Sequence, residues 1–82
     1  MDTTKLQAFC TVAELKSFSE AAQRLNYTHP AISAQIRELE NELGVVLFKK
    51  SGKKVELSEA GQTILPVAYR LLKSFKEMRE SL

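Results

Sequence analysis

Apolar residues recur along this chain in three blocks of helical period, a short block of β type, and a last long helical block. In the first, Leu6, Phe9, Cys10 and Ala13, with Val12 beside them, keep 3.6-residue spacing. That predicts a helix from a cap at Asp2 or Thr3 to about Lys16. Lys16 is not a helix-terminating glycine, so this end is weakly marked. The second block opens on Ser17-Phe18-Ser19-Glu20, a capping box in which the Ser17 hydroxyl takes one orphan amide and Glu20 reaches back to the Ser17 N–H. Ala21, Ala22 and Leu25 form a buried face small enough to admit a neighbouring helix. Asn26 suits a left-handed stop, which makes Asn26-Tyr27 a turn.

A third helix is expected from Thr28 as N-cap, with Pro30 in the first turn where its missing N–H loses nothing. Ile32, Ile36, Leu39 and Leu43 make one apolar stripe, closed by Gly44. The opposite face holds Pro30, Ala34, Arg37 and Asn41, flanked by Ala31 and Ser33. Residues 45–48 and 55–57 are β-type segments around a Ser51-Gly52 tip. Two short strands are marginal alone and must pack on the helices. The last helix starts at Ser58. Ile64, Ala68, Leu71, Phe75, Met78 and Leu82 repeat at 4-3-4-3-4, a coiled-coil seam widened by Leu65 and Leu72. Pro66 lies inside it and predicts a kink near Gln62 rather than a break, because the seam keeps its register. At about 1.5 Å per residue this helix would reach about 35 Å beyond a small globule.

Eighty-two residues make one domain with a thin core. Hydrophobic residues at 44% and charged residues at 27% belong to a globular chain rather than a disordered one. No apolar run approaches the roughly 18 residues of a membrane span, and the N-terminus has no signal-peptide core, so a soluble cytoplasmic chain without a membrane partner is expected. Cys10 is the single cysteine, which suits a reducing compartment. It shares the first apolar face and has no adjacent base, so it is expected to fill core. The net charge of +2 is unevenly spread. Residues 1–48 carry −2 and residues 49–82 carry +4, with Lys49, Lys50, Lys53 and Lys54 in six positions without an acid.

No glycine-rich phosphate loop and no metal-ligand cluster occur, and His29 is the only histidine. Catalysis, a cofactor and a metal site are therefore not expected. Two short helices joined by a tight turn, with a basic hairpin beside them, suit a DNA duplex. On that reading the helix over 28–43 enters the major groove N-terminal end first. His29, Pro30, Ala34 and Arg37 then face base edges, Arg37 able to grip a guanine and Pro30 and Ala34 to touch thymine methyls. Ser17, Thr28, Ser33 and the first-turn amides are expected at phosphates. Lys50, Lys53 and Lys54 would lean over the backbone or minor groove, with Lys49 alternating to the other side. Glu38, Glu40 and Glu42 would repel phosphates unless the helix tilts away. Alternatives stay open: Arg37 could pair with Glu40 or Asn41, the lysines could merely solubilise the hairpin, and the helices could form a protein–protein interaction module.

Taken in order, Leu6-x-x-Phe9, Ser17-Phe18-Ser19-x-Ala21-Ala22-x-x-Leu25, Thr28-His29-Pro30-Ala31-Ile32-Ser33-x-x-Ile36-x-x-Leu39-Glu40, Leu43-Gly44-x-x-Leu47-Phe48-x-Lys50 and Leu57-Ser58-x-Ala60-Gly61 resemble the N-terminal domain of LysR-type transcriptional regulators. The resemblance covers nearly the whole chain. It implies a mainly α, winged helix-turn-helix fold: a three-helix head with a two-stranded wing over 1–58, then a linker and dimerisation helix over 59–82. It also implies a bacterial sequence-specific double-stranded DNA-binding protein, homodimeric through the 64–82 seam. Two heads about one helical turn (~34 Å) or a multiple apart would read an interrupted inverted repeat. A small-molecule effector is implied only for a larger domain beyond this helix. The head of molybdate-responsive regulators has a similar helical order and remains an alternative, the seam favouring the LysR type. This chain departs from the family pattern in having Lys16 for glycine, His29 for glutamine, Lys50 and Lys53 for arginine, and Ser58 for threonine. The lysines keep the charge but lose the bidentate fork, favouring phosphate attraction over base reading.

Overall fold

Each of the three short helices ends where a single residue turns the backbone left-handed: Lys16 at φ 55°, Asn26 at φ 60° and Gly44 at φ 71°. In the computed structural model, which describes residues 3–82, these stops separate α1 (Thr4–Leu15), α2 (Phe18–Leu25) and α3 (His29–Leu43). The hairpin β1 (Phe48–Ser51) and β2 (Lys54–Leu57) follows, then α4 (Glu59–Glu80). Three hydroxyls cap the helices as their positions suggest. Ser17 Oγ accepts from Glu20 N at 3.1 Å, Thr28 Oγ1 from Ala31 N at 3.2 Å and Ser58 Oγ from Gly61 N at 3.0 Å. The capping box at Ser17 is half made, since the Glu20 side chain does not return to the Ser17 N–H. Thr3 occupies the N-cap of α1 without a side-chain cap bond. Asp2, the other candidate cap, lies outside the described residues.

Phe9, Val12, Ile32 and Leu47 are fully buried and form the centre of the core. Ala8, Ala21 and Ala22 keep α1 and α2 close against it. The α3 stripe contributes Ile32, Ile36 and Leu39, but Leu43 is 45% exposed, because the helix outruns the surface it packs on.

The wing is shorter than its apolar run suggests. Residues 45–47 are not strand. Leu47 donates its N–H to Glu40 Oε2 at 2.7 Å, and its carbonyl accepts from Ser58 N at 2.9 Å, so both of its backbone groups are bound outside the ladder. The strands pair Phe48 with Leu57, Lys49 with Glu56, Lys50 with Val55 and Ser51 with Lys54. The tip is therefore Gly52-Lys53, one residue beyond Ser51-Gly52. Positive φ at Gly52 alone gives the sign pattern of a type II′ turn, which matches strand twist. Packing on the helices holds this hairpin: Phe48 lies 5.5 Å from the Phe9 ring, and Val55 N donates to Lys16 O at 3.3 Å.

α4 runs unbroken through Pro66. It crosses the head tightly at Gly61, where an added Cβ would overlap the Leu47 carbonyl oxygen and approach Leu57 Cδ2 to 2.9 Å. Ala68 is buried in the core, and Ile64, Leu65 and Leu72 pack against it. Two expectations change accordingly. The core continues past residue 58 into α4, and only about the last ten residues, about 15 Å of helix, extend beyond the packed part. Ala68 also leaves the outward seam for the interior. Tyr69 of α4 also donates to Glu14 Oε1 of α1 at 2.6 Å, and Arg24 of α2 pairs with Glu14 at 3.7 Å.

Candidate nucleic-acid interface

The caps at Ser17 and Thr28 start two helices whose N-terminal turns open on the same side as the wing. Between them lies an open cleft of about 370 Å³. Its lining comes from three places: Lys16, Ser17, Phe18 and Ser19 at the α1–α2 junction, His29 and Ser33 on α3, and Lys50, Lys53 and Val55 on the wing. Five sequence-predicted residues, Ser17, His29, Ser33, Lys50 and Lys53, thus meet in one place. A second depression of about 280 Å³ shares Phe18, Ser33, Lys50 and Val55 with the first and continues to Arg37, Val46 and Lys49. Lys49, expected on the other side of its strand, borders this depression too. Thr28, Pro30, Ala34 and Lys54 line neither space but are all exposed.

The charges around these spaces are free on one sign and occupied on the other. Arg37 is exposed and makes no hydrogen bond or ion pair among the described residues, so the pairing with Glu40 or Asn41 does not form. Lys50, Lys53 and Lys54 are likewise exposed without a carboxylate partner. The acidic run on α3 is engaged elsewhere. Glu40 holds the Leu47 amide, while Glu38 (3.4 Å) and Glu42 both pair with Lys5 of α1. Their repulsion of an approaching phosphate is correspondingly weaker than the bare sequence suggests.

The His29 ring lies 5.7 Å from Phe18, tilted by 50°. Lys16, Phe18 and Ser19 belong to the cleft although the motif reading assigned them no contact. For Lys16 the available signal was a cation placed directly before a helix cap. Cys10 is buried, and burial, with a smaller push from the Glu14 charge, raises its thiol to about 11, the environment of an inert core side chain. Among the described residues no cluster suited to a metal ion occurs, and no helix is long and apolar enough to cross a membrane. Of the seam, Leu71, Met78 and Leu82 are exposed, with Val67 beside them. Ile64 and Phe75 are half-buried, and the Arg79 guanidinium sits 5.4 Å over the Phe75 ring.

A short helix turning directly into a longer one, with a two-stranded hairpin packed alongside, defines a winged helix-turn-helix. The profile described as bacterial regulatory helix-turn-helix protein, lysR family, matches residues 3–62, and the chain belongs to that family. It is 49% identical over 82 residues to an HTH-type transcriptional regulator of Azotobacter vinelandii, covering all of this chain and 57% of the relative. It is 40% identical over 78 residues to the RuBisCO operon transcriptional regulator of Allochromatium vinosum, covering 95% of this chain and 26% of that protein. The chain therefore spans between about a quarter and just over half of these relatives. Among solved structures it is similar to the CbnR DNA-binding domain in complex with DNA, at 36% identity and a TM-score of 0.92, covering 99% of this chain and 93% of that one. The BenM DNA-binding domain with its benA site 1 DNA gives 32% identity and a TM-score of 0.90 over 99% and 91%.

Proposed function

We propose that this chain binds double-stranded DNA sequence-specifically as the head of a bacterial LysR-type transcriptional regulator, acting in the cytoplasm at the nucleoid. The observation that carries the reading is the shared cleft: Ser17, His29, Ser33, Lys50 and Lys53 meet there, beside an unpaired Arg37. α3 enters the major groove by its N-terminal end. His29, Pro30, Ala34 and Arg37 meet base edges, while Ser17, Thr28, Ser33 and the positive ends of α2 and α3 meet phosphates. Lys50, Lys53 and Lys54 straddle the backbone or minor groove. The exposed α4 face of Leu71, Met78 and Leu82, with Ile64, Phe75 and Val67, pairs with a second copy, so that two heads read an interrupted inverted repeat. Any small-molecule effector is assigned to a separate domain of the full regulator. The chemistry is positioning and charge neutralisation; no bond is made or broken.

The test is selection of bound duplexes followed by a salt titration of the best binder. Each phosphate contact steepens the fall of log K with log salt by about 0.9. The expected result is a two-fold symmetric site and a slope that Lys53→Ala makes shallower. Absence of salt-dependent duplex binding overturns the reading in favour of a protein-interaction module.

A further inference from the structure

We infer that Lys16, at the turn between α1 and α2, is a further DNA-phosphate contact, placing a third lysine around the cleft where α2, α3 and the wing converge. The inference rests on the DNA-binding reading above and extends it to a residue that reading does not use.

Three observations carry it. Lys16 lines the cleft together with Ser17, Ser19, His29, Lys50 and Lys53, and none of the residues lining that space is acidic. Its ammonium is exposed and has no carboxylate partner among the described residues. Its backbone is held by the wing, since its carbonyl accepts the Val55 N–H at 3.3 Å, so the side chain springs from a fixed point between helix and hairpin.

The physical setting is favourable to an anion. The N-terminal ends of α2 and α3 bring unpaired amides and the positive ends of their dipoles to the same space, and three ammonium groups surround it. A phosphodiester seated there exchanges condensed counterions for these groups. The backbone explains why the lysine is not there for the turn. At φ 55°, ψ 32° the residue is left-handed, a conformation that favours glycine, so its side chain contributes nothing to making the stop.

That same strain makes the test clean. Lys16→Gly removes the cation while relieving the backbone, so the variant should fold and melt at or above the parent temperature by circular dichroism. Duplex affinity is then measured by fluorescence anisotropy between 50 and 200 mM salt for the parent chain, Lys16→Gly, Lys16→Arg, Lys53→Ala and the remote Lys76→Ala. The expected result for Lys16→Gly is a slope shallower by about 0.9 per head, about 1.8 for the two-headed dimer, so that the parent's advantage shrinks about 12-fold across that range. Lys16→Arg keeps the parent slope and Lys76→Ala stays close to it. An unchanged slope in Lys16→Gly alongside a reduced one in Lys53→Ala overturns the contact while leaving the DNA reading intact. An equal reduction in Lys76→Ala overturns it as a general charge effect. Salt-independent binding in every variant overturns both readings together.

Discussion

The Phe18 ring meets the Phe48 ring edge-on, centroids 5.8 Å apart and planes 70° to one another, so the first residue of α2 touches the first residue of β1. Phe18 also lies against His29, the first residue of α3, and Phe48 lies against Phe9 in the core. One ring thus sets the spacing between α3 and the wing. Phe18→Leu keeps most of the apolar volume but loses the ring pairs, each worth about 0.5–1.5 kcal/mol beyond burial. It should lower stability by about 1–2 kcal/mol and weaken duplex binding under conditions where the variant is fully folded. Denaturant unfolding and a DNA titration check this; parental affinity and salt slope in the folded variant would falsify the coupling.

Glu40 clamps the lead into the wing. Its carbonyl accepts from Gly44 N at 2.8 Å and Val45 N at 3.2 Å, and its carboxylate takes the Leu47 amide at 2.7 Å. A hydrogen bond to a charged group is worth about 1.5–3 kcal/mol, and removing it orphans the N–H of a fully buried residue. Glu40→Ala should therefore destabilise by about that amount in urea, and Glu40→Gln, which keeps an acceptor, by roughly half. Equal losses for the two variants refute the clamp.

Gly61→Ala reverses the usual sign. At an exposed helix position the change stabilises by up to about 1 kcal/mol. Here the new methyl meets the Leu47 carbonyl, a backbone atom with no rotamer to escape through. A net loss of about 1–3 kcal/mol is expected, read as a lower denaturation midpoint. A gain in stability contradicts the close crossing of α4 over the head.

Two groups make the fold sensitive to alkali. Its hydrogen bond to Glu14, then burial, then the nearby Glu14 and Cys10 charges raise the Tyr69 hydroxyl to about 12, while burial and Glu14 raise the Cys10 thiol to about 11. In both cases the folded state holds its proton more tightly than the unfolded chain. Their stabilisation is complete below the ordinary values and is lost as pH rises through the folded ones, between about pH 9 and 12. Tm followed across this range should fall less steeply above about pH 10 in Tyr69→Phe than in the parent, and less steeply from about pH 9 in Cys10→Ala. Superimposable curves for all three proteins rule out these linkages.

Leu71 and Ala68 stand three residues apart on α4 but face different neighbours. Leu71 is exposed and Ala68 is 1% exposed against the head. Leu71→Asp should give a folded monomer in sedimentation, with a circular dichroism spectrum like the parent's. Ala68→Asp buries an unpaired charge and should unfold the head itself. A dimer that persists in Leu71→Asp moves the interface to another face.

Helix existence, three of the caps, the left-handed stop at Asn26 and the lysine-rich hairpin were legible along the chain, because each depends on neighbours within about four residues. Local chemistry also singled out Ser17, His29 and Ser33, which the fold brings to one cleft. The place of Lys16 in that cleft was not legible, because the wing residue that holds its carbonyl, Val55, lies far along the chain.

Periodicity could tell that Ile64, Ala68, Leu71 and Phe75 share a stripe, since side-chain direction on a helix follows from spacing alone. It could not tell which edge of that stripe meets the head. Folding split the stripe, turning Ala68 inward and leaving Leu71 outside, because the close crossing at Gly61 sets the rotation of α4 about its own axis. The same holds for the wing: its apolar run reads as strand up to the point where Glu40 and Ser58, distant in sequence, take both backbone groups of Leu47 and end the ladder. Short-range patterns choose the elements; long-range hydrogen bonds and steric contact choose their edges and which way they face.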